Sequence, residues 1–124
     1  MPDKNRVAEF VAAVVNGDHA EAIAKFYHPD ATMQENLAPP RVGRDLLIEH
    51  ERAALARMKH METLPPKSIL VDGDKVVINW VFISTALDGI SRQLEEISLQ
   101  RWQGDRIIEE RFFYDSKTAW GPPT

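Results

Sequence analysis

The hydrophobic pattern of the chain changes its period at Pro65 and Pro66. Before these prolines, apolar residues recur every three or four positions, which is typical of amphipathic helices. After them, apolar runs are separated by turn signals at Asp72-Gly73-Asp74, Asp88-Gly89 and Gly104-Asp105. Helices followed by hairpins predict an α+β fold, in which the helices form a layer over the concave face of a bent antiparallel sheet.

Three helices are predicted before the prolines. The first ends at Asn16-Gly17, and its apolar stripe consists of Val7, Phe10, Val11, Val14 and Val15. The second opens at a capping box formed by Asp18 and Glu21. A third helix is predicted over residues 45–61, because this segment is rich in good helix formers.

The segment after the prolines is predicted to form a four-stranded antiparallel meander. Residues 75–87 are apolar on both faces, which is typical of a central strand covered on both sides. Residues 91–102 carry polar and aromatic side chains on one face, as the walls of binding pockets do. Residues 106–115 form the last predicted strand, and 117–124 are expected to be a tail. The result is a cone-shaped α+β barrel, with three N-terminal helices on a strongly curved, mostly antiparallel sheet around an internal cavity.

Length and composition limit the classes of function. The 124 residues fit one domain, with its core expected at about residues 5–116. A net charge of -4 argues against a nucleic-acid-binding surface, and no apolar run approaches the ~20 residues that span a bilayer. The chain has no cysteine, which excludes disulfides and thiolate catalysis and suits a cytoplasmic location. The mixed charges of the first residues do not resemble a signal peptide.

Metal and cofactor motifs are not found in the sequence. His50 lacks the second histidine that a helical zinc motif places one turn later. There is no glycine-rich phosphate loop after a strand and no nucleophile elbow. We therefore predict neither a metal nor a cofactor.

Glu35 is an unusual residue for its position. Pro29 ends the second helix, and a strand is predicted to follow, on which Ala31, Met33 and Glu35 point to the same face. If this apolar face lines the cavity, its poorly hydrated carboxylate is a candidate general base. The alternative is that the strand ends at Gln34 and that Glu35 lies in solvent.

Asp115 and His50 are the next candidates. Asp115 ends the last predicted strand, and its alternative role is that of a polar residue in a surface turn. His50 interrupts the buried side of the third helix, where it would either face a ligand or act as a hydrogen-bonded core residue.

Two acidic pairs, Glu95-Glu96 and Glu109-Glu110, lie on strands that are predicted to be neighbours. Because side chains alternate between the two faces of a strand, only one member of each pair can face the cavity. Cross-strand ion pairs with nearby arginines are the favoured explanation for these charges.

The predicted order of elements is accompanied by four short stretches: Asn16-Gly17-Asp18, Phe26-Tyr27-His28-Pro29-Asp30-Ala31-Thr32, Val42-Gly43-Arg44-Asp45 and Trp102-Gln103-Gly104-Asp105-Arg106-Ile107. Together they resemble the nuclear transport factor 2-like superfamily, and within it the SnoaL-like polyketide cyclases and the steroid delta-isomerases. The resemblance implies the cone-shaped fold and a homodimer formed through the exposed face of the sheet. It leaves the activity open, because the superfamily includes isomerases, dehydratases, cyclases, epoxide hydrolases and proteins without catalysis.

The resemblance also places family residues on this sequence. The isomerase base, an aspartate that closes the first strand, corresponds to Glu35. The oxyanion-binding tyrosine corresponds to Phe10, and the protonated aspartate falls near Ser98. Both groups that stabilise an enolate are thus replaced, so steroid isomerisation is not expected. The cyclase aspartate resembles Asp115 in position, with His50 or Gln100 as an assisting residue.

We predict a small cytoplasmic enzyme that transfers protons on an apolar, ring-containing carbonyl compound, as an isomerase, cyclase or dehydratase. The predicted catalytic residues are Glu35, Asp115 and His50. The predicted substrate-binding residues are Phe10, Tyr27, Trp80, Phe82, Ser98, Gln100, Trp102, Phe112 and Tyr114. The alternative is a non-catalytic ligand-binding or dimerisation module, in which Glu35 is solvated or forms a salt bridge.

Overall fold

The computed structural model describes residues 2–124 as three helices and seven strands that form one sheet. The helices are α1 (Lys4–Asn16), α2 (His19–Phe26) and α3 (Arg44–Ala56). The strands are β1 (Tyr27–Glu35), β2 (Arg41–Val42), β3 (Met58–Thr63), β4 (Ser68–Asp72), β5 (Lys75–Ala86), β6 (Ser91–Gln103) and β7 (Arg106–Phe113). The predicted α+β class is confirmed: three helices lie on a strongly curled, mostly antiparallel sheet that forms a half-barrel.

The sheet contains the predicted meander. Its strand order is β2-β1-β7-β6-β5-β3, and β4 shares one edge of β5 with β3. Strands β4 to β7 follow one another through three antiparallel hairpins, whereas β1 pairs parallel with β7. Gly104 forms the last hairpin turn with a φ of 63°, a conformation that glycine adopts without steric cost.

The predicted start of α2 is confirmed, but the predicted end of α3 is wrong. The Asp18 carboxylate accepts hydrogen bonds from two backbone amides in the first turn of α2. Helix α3 ends at Ala56, well before the predicted end near residue 61, and the next residues form β3. Strand β4 covers only the first half of one edge of β5, and β3 pairs with the second half, with Met61 opposite Ser84. This pairing satisfies backbone groups that an open edge would leave free, and it outweighs the local helix propensity.

The curled sheet turns the more polar side of β6 inward. Glu96, Ser98 and Gln100 are buried, whereas Ile97 and Leu99 between them are each 37% exposed on the outer face. Strand pairing explains why the polar residues of β6 are buried and the apolar ones exposed. Ser98 lies opposite the fully buried Ile78 of β5, and directly opposed side chains point to the same face.

A β-bulge in β7 decides which of its side chains face inward. Arg101 pairs with Glu109 but Trp102 pairs with Ile107, so Ile108 is left without a partner. The bulge resets the alternation, and both Ile107 and Glu110 are buried on the concave face.

Strand β5 is central, as predicted, but it is fully covered on only one face within this chain. Trp80 and Ile78 on the concave face are buried, whereas Val77 and Ile83 on the outer face are partly exposed. None of the helices within residues 2–124 is long and apolar enough to cross a membrane.

The segment 117–124, treated above as a tail, folds back onto the sheet. The backbone N–H of Gln93 donates a hydrogen bond to the Gly121 carbonyl at 2.7 Å. Trp120 packs against the core as a result, and its side chain contributes to the functional site described below.

Candidate functional site

A cavity of about 370 Å³ lies between the helices and the concave face of the sheet. Its aromatic lining residues are Phe10, Tyr27, Trp80, Phe82, Phe112 and Trp120. Four carboxyl groups also line it, those of Glu35, Glu51, Glu96 and Glu110. Apolar walls with a few converging polar groups are typical of small-molecule sites.

Glu110 is the most enclosed of these acids, with 3% of its surface exposed. Its carboxyl group accepts hydrogen bonds from the Tyr27 hydroxyl and, at 2.7 Å, from the Gln100 amide. The Trp102 indole N–H in turn donates to the Gln100 side-chain oxygen at 3.0 Å, which fixes the orientation of that amide. Burial raises the pKa of Glu110 to about 7, although both hydrogen bonds act to lower it.

Glu96 lies on β6, opposite Trp80 of β5, and is 7% exposed. Within residues 2–124 its carboxyl group has no hydrogen-bond partner, and it faces the cavity. Burial raises the pKa of Glu96 to about 8, and the nearby charges of Glu110, Glu35 and Glu51 raise it further. The side chain is therefore mostly protonated at neutral pH.

Glu35 closes β1 in a different environment. Arg41 donates a hydrogen bond to one carboxylate oxygen at 2.9 Å and forms an ion pair with it. The Tyr114 hydroxyl donates to the other oxygen at 3.2 Å. The Glu35 side chain is 39% exposed, so it combines contact with the cavity and access to water.

His19, which is not among the predicted site residues, also lines the cavity. His19 Nε2 lies 2.7 Å from the Thr63 hydroxyl, and His19 Nδ1 lies 3.4 Å from a Glu51 oxygen. Its ring packs edge-on against Phe82 at 5.5 Å. Both ring nitrogens thus face protein groups, which hold the imidazole in one orientation.

The structure brings some of the predicted site residues to the cavity wall and places others elsewhere. The residues at the wall are Glu35, His50, Phe10, Tyr27, Trp80, Phe82 and Phe112. Gln100 and Trp102 lie behind Glu110, Tyr114 contacts Glu35, and the Ser98 hydroxyl is buried without a hydrogen-bond partner among the described residues.

Asp115 lies outside the cavity, contrary to its predicted catalytic position. It is exposed, and its carboxylate accepts a hydrogen bond from the backbone amide of Lys117 at 2.9 Å. Strand β7 ends at Phe113, so the residues beyond it form a surface turn, in agreement with the alternative role considered for Asp115.

The two acidic pairs are the signal that the sequence analysis underused. One member of each pair does face the cavity, as the alternation requires. The ion-pair interpretation holds for the outward Glu109, which pairs with Arg101 at 2.5 Å, whereas the outward Glu95 pairs instead with Lys67 at 3.1 Å. It is wrong for the inward members, Glu96 and Glu110, which have no lysine or arginine partner within residues 2–124.

Three helices on a strongly curled, mostly antiparallel sheet that forms a half-barrel have the nuclear transport factor 2-like fold. The sequence matches the model of the SnoaL-like domain over residues 7–110, and the chain belongs to this family. The resemblance noted from the sequence is thereby confirmed. No curated protein matches the sequence.

Solved structures share the fold. A candidate SnoaL-like polyketide cyclase from Jannaschia is 16% identical, with 100% of this chain and 97% of that chain covered and a TM-score of 0.76. A hypothetical protein of ketosteroid isomerase-like fold from Catenulispora acidiphila, in complex with trimethylamine, is 16% identical over 99% and 96% of the chains, with a TM-score of 0.77. An LEH-like epoxide hydrolase from M. tuberculosis is 16% identical over 93% and 84%, with a TM-score of 0.76. These identities establish the fold alone.

Proposed function

We propose that the chain is a small-molecule enzyme that uses carboxyl groups for proton transfer on an apolar, ring-containing carbonyl compound. The observation that carries this proposal is the pair of buried acids, Glu96 and Glu110, on the wall of an aromatic cavity, each with a pKa raised to near neutrality. A carboxyl group that stays protonated near neutral pH can donate a hydrogen bond to a substrate oxygen, and such perturbed pKa values are common at functional sites.

The acids have different roles in this proposal. Glu96, which is protonated and has no hydrogen-bond partner among the described residues, donates a hydrogen bond to the carbonyl oxygen and stabilises the enolate that forms when an adjacent proton leaves. Glu35 accepts that proton at the mouth of the cavity, where Arg41 and Tyr114 hold its carboxylate. Glu110, oriented by Tyr27 and outside the reacting pair, shapes the electrostatic field of the site.

This chemistry is common to isomerisation, cyclisation and dehydration next to a carbonyl group. The structure of the substrate determines which of these reactions follows. The names of the solved relatives, which include a candidate polyketide cyclase and an epoxide hydrolase, support a small organic substrate. His50, exposed at the cavity wall, is the proposed route for proton exchange with solvent. Asp115 has no part in the mechanism because its side chain is exposed outside the cavity.

The test requires no knowledge of the natural substrate. Mono- and polycyclic ketones are incubated with the protein in deuterated buffer, and NMR follows the loss of the protons next to the carbonyl. We expect Glu35→Gln to slow exchange by about 10²–10⁴-fold, the usual contribution of a general base. Glu95→Gln removes one charge from the outer face of β6 and should leave the exchange rate unchanged.

Exchange no faster than in buffer for every ketone, or equal rates in the wild type and Glu35→Gln, would instead favour a non-catalytic ligand-binding module. The ion pair between Glu35 and Arg41 is the observation that supports this second candidate. In that case the cavity binds its ligand without turnover, and Glu35 only closes the mouth.

We also propose that two copies associate through the outer face of the sheet and that the protein acts in the cytoplasm. The outer apolar residues that support association are Leu70, Ile97, Leu99 and Phe113. Sedimentation of the wild type at twice the chain mass, reduced to the chain mass in Leu99→Lys, is the expected result. A wild-type monomer at micromolar concentration would contradict the association.

A further inference from the structure

We propose that the natural ligand carries a positively charged, alkylated nitrogen, which binds between the Glu96 carboxyl group and the aromatic rings of β5. This inference concerns the ligand of the same cavity and goes beyond the proposed proton transfer, because it makes the Glu96 carboxylate, rather than the protonated acid, the group that binds the ligand. It begins from an unusual feature of Glu96: a charged residue type that is more than nine-tenths buried, faces open space and has no hydrogen-bond partner within residues 2–124. Buried carboxyl groups ordinarily have a partner.

The aromatic side of this site lies directly beside Glu96. Trp80 is its cross-strand neighbour, and such neighbours have Cβ atoms only about 5 Å apart. The rings of Trp80 and Phe82 are stacked, with centroids 5.7 Å apart and an interplanar angle of 24°. A carboxylate next to tryptophan and phenylalanine rings combines the two kinds of group that attract alkylated ammonium ions, by charge and by cation–π interaction.

The charges around the cavity favour a cation over an anion. The charged and titratable groups that face it are Glu35, Glu51, Glu96, Glu110, Tyr27, His19, His50, Arg41 and Arg57. Arg41 is paired with Glu35, and His19 is the neighbour of Glu51. Glu96 and Glu110 therefore face each other's charge with no basic side chain bonded to either one, among the described residues. An ammonium ion at this point would pair with the Glu96 carboxylate that forms when the acid releases its proton.

A neutral ligand oxygen would also accept a hydrogen bond from protonated Glu96, so the two ligand classes must be separated by experiment. The two ligand classes differ in whether Glu96 releases its proton when the ligand binds. A carbonyl group binds the protonated acid and leaves its proton in place. A cation binds the carboxylate, so the Glu96 proton passes to the buffer when the complex forms below the pKa of about 8.

The experiment compares tetramethylammonium with tert-butanol, an uncharged molecule of similar size and shape. Each is titrated into the protein at about pH 7 by calorimetry, in two buffers with different ionisation enthalpies, so that proton release can be counted. We expect tetramethylammonium to bind at least tenfold more tightly than tert-butanol and to release about one proton per complex. Glu96→Gln should lose at least tenfold in tetramethylammonium affinity, and Glu95→Gln, the matched outward control, should change it less than twofold.

Equal affinities for the two probes, no proton release by the wild type, or equal losses in the two variants would overturn the inference. The proton count on the wild type keeps the test decisive even if Glu96→Gln fails to fold. The deuterium-exchange assay separates the two proposals. Exchange on neutral ketones without tetramethylammonium binding would leave the proposed function standing and overturn the cationic substrate. Tetramethylammonium binding with proton release but no exchange on any ketone would support the cationic ligand and overturn the proposed proton transfer.

Discussion

Replacing Glu96 by glutamine should change the way the stability of the folded protein depends on pH. The pKa of Glu96 is raised from 4.5 to about 8 in the folded protein, chiefly by burial. Between these two values the folded protein retains the proton while the unfolded chain has released it. Stability is therefore greatest at low pH with respect to this group, and it falls as the pH rises through this interval.

The size of this pH effect on stability follows from the difference between the pKa values of Glu96 in the unfolded and folded states. At about 1.4 kcal/mol per pH unit, the Glu96 carboxyl group lowers the free energy of unfolding by about 5 kcal/mol between pH 4.5 and about 8. Glutamine has nearly the same shape as glutamate but does not ionise. The free energy of unfolding of Glu96→Gln should therefore not decrease in this way as the pH rises. The variant should gain stability relative to the wild type as the pH rises, reaching about 5 kcal/mol above pH 8.

Urea unfolding followed by circular dichroism, repeated from about pH 5 to about pH 9, measures both curves. Glu95→Gln is the control. Its hydrogen bond with Lys67 lowers the pKa of Glu95, so the group titrates below this range, and an exposed ion pair contributes at most about 1 kcal/mol. Wild-type and Glu96→Gln curves that stay parallel within about 1 kcal/mol would show that Glu96 is hydrated in the folded protein and would refute the reasoning.

Three further variants test individual contacts. Tyr27→Phe removes the hydroxyl that donates a hydrogen bond to Glu110. This variant should raise the pKa of Glu110 in a carbon-13 NMR titration and destabilise the fold by about 1–3 kcal/mol. An unchanged titration of Glu110 would contradict the contact. Asp18→Ala removes the hydrogen bonds to two backbone amides of α2 and should cost about 1 kcal/mol in urea unfolding, whereas Asp18→Asn should retain most of that stability. Gly104→Ala should cost about 1 kcal/mol by the same measurement because of its φ of 63°, and Gly104→Asn should cost less; equal losses would argue against a conformational cause.

Local chemistry was sufficient to predict most of the elements. The prolines, the glycine turns and the Asp18 cap act within a few residues, so their effects can be judged from spacing alone. The predicted helices and the meander follow from these signals. The end of α3 does not, because residues 58–63 have a helical pattern and become a strand only when the open edge of β5 is present.

The site was less predictable for the same reason. The sequence requires that one member of each acidic pair point inward, but it does not say which one. The bulge at Ile108 and the pairing of Ser98 with Ile78 make that choice for β7 and β6. Asp115 was misplaced because the exposure of a residue just beyond a strand depends on where pairing stops.

The sequence by itself determined the class of this protein: an α+β domain of the SnoaL-like family, with three helices, a meander and no sulfur chemistry. The α+β class, the helices and the meander depend on periodicity and turns, which every stretch of the chain carries locally, whereas the family follows from the match of residues 7–110 to its model. Only the tertiary structure decided that Glu96 and Glu110 are the buried acids and that Glu35 has Arg41 as its partner. The burial of Glu96 and Glu110 depends on residues far apart in the chain, and the contact between Glu35 and Arg41 depends on the pairing of β1 with β2. These properties control the proton chemistry of the cavity.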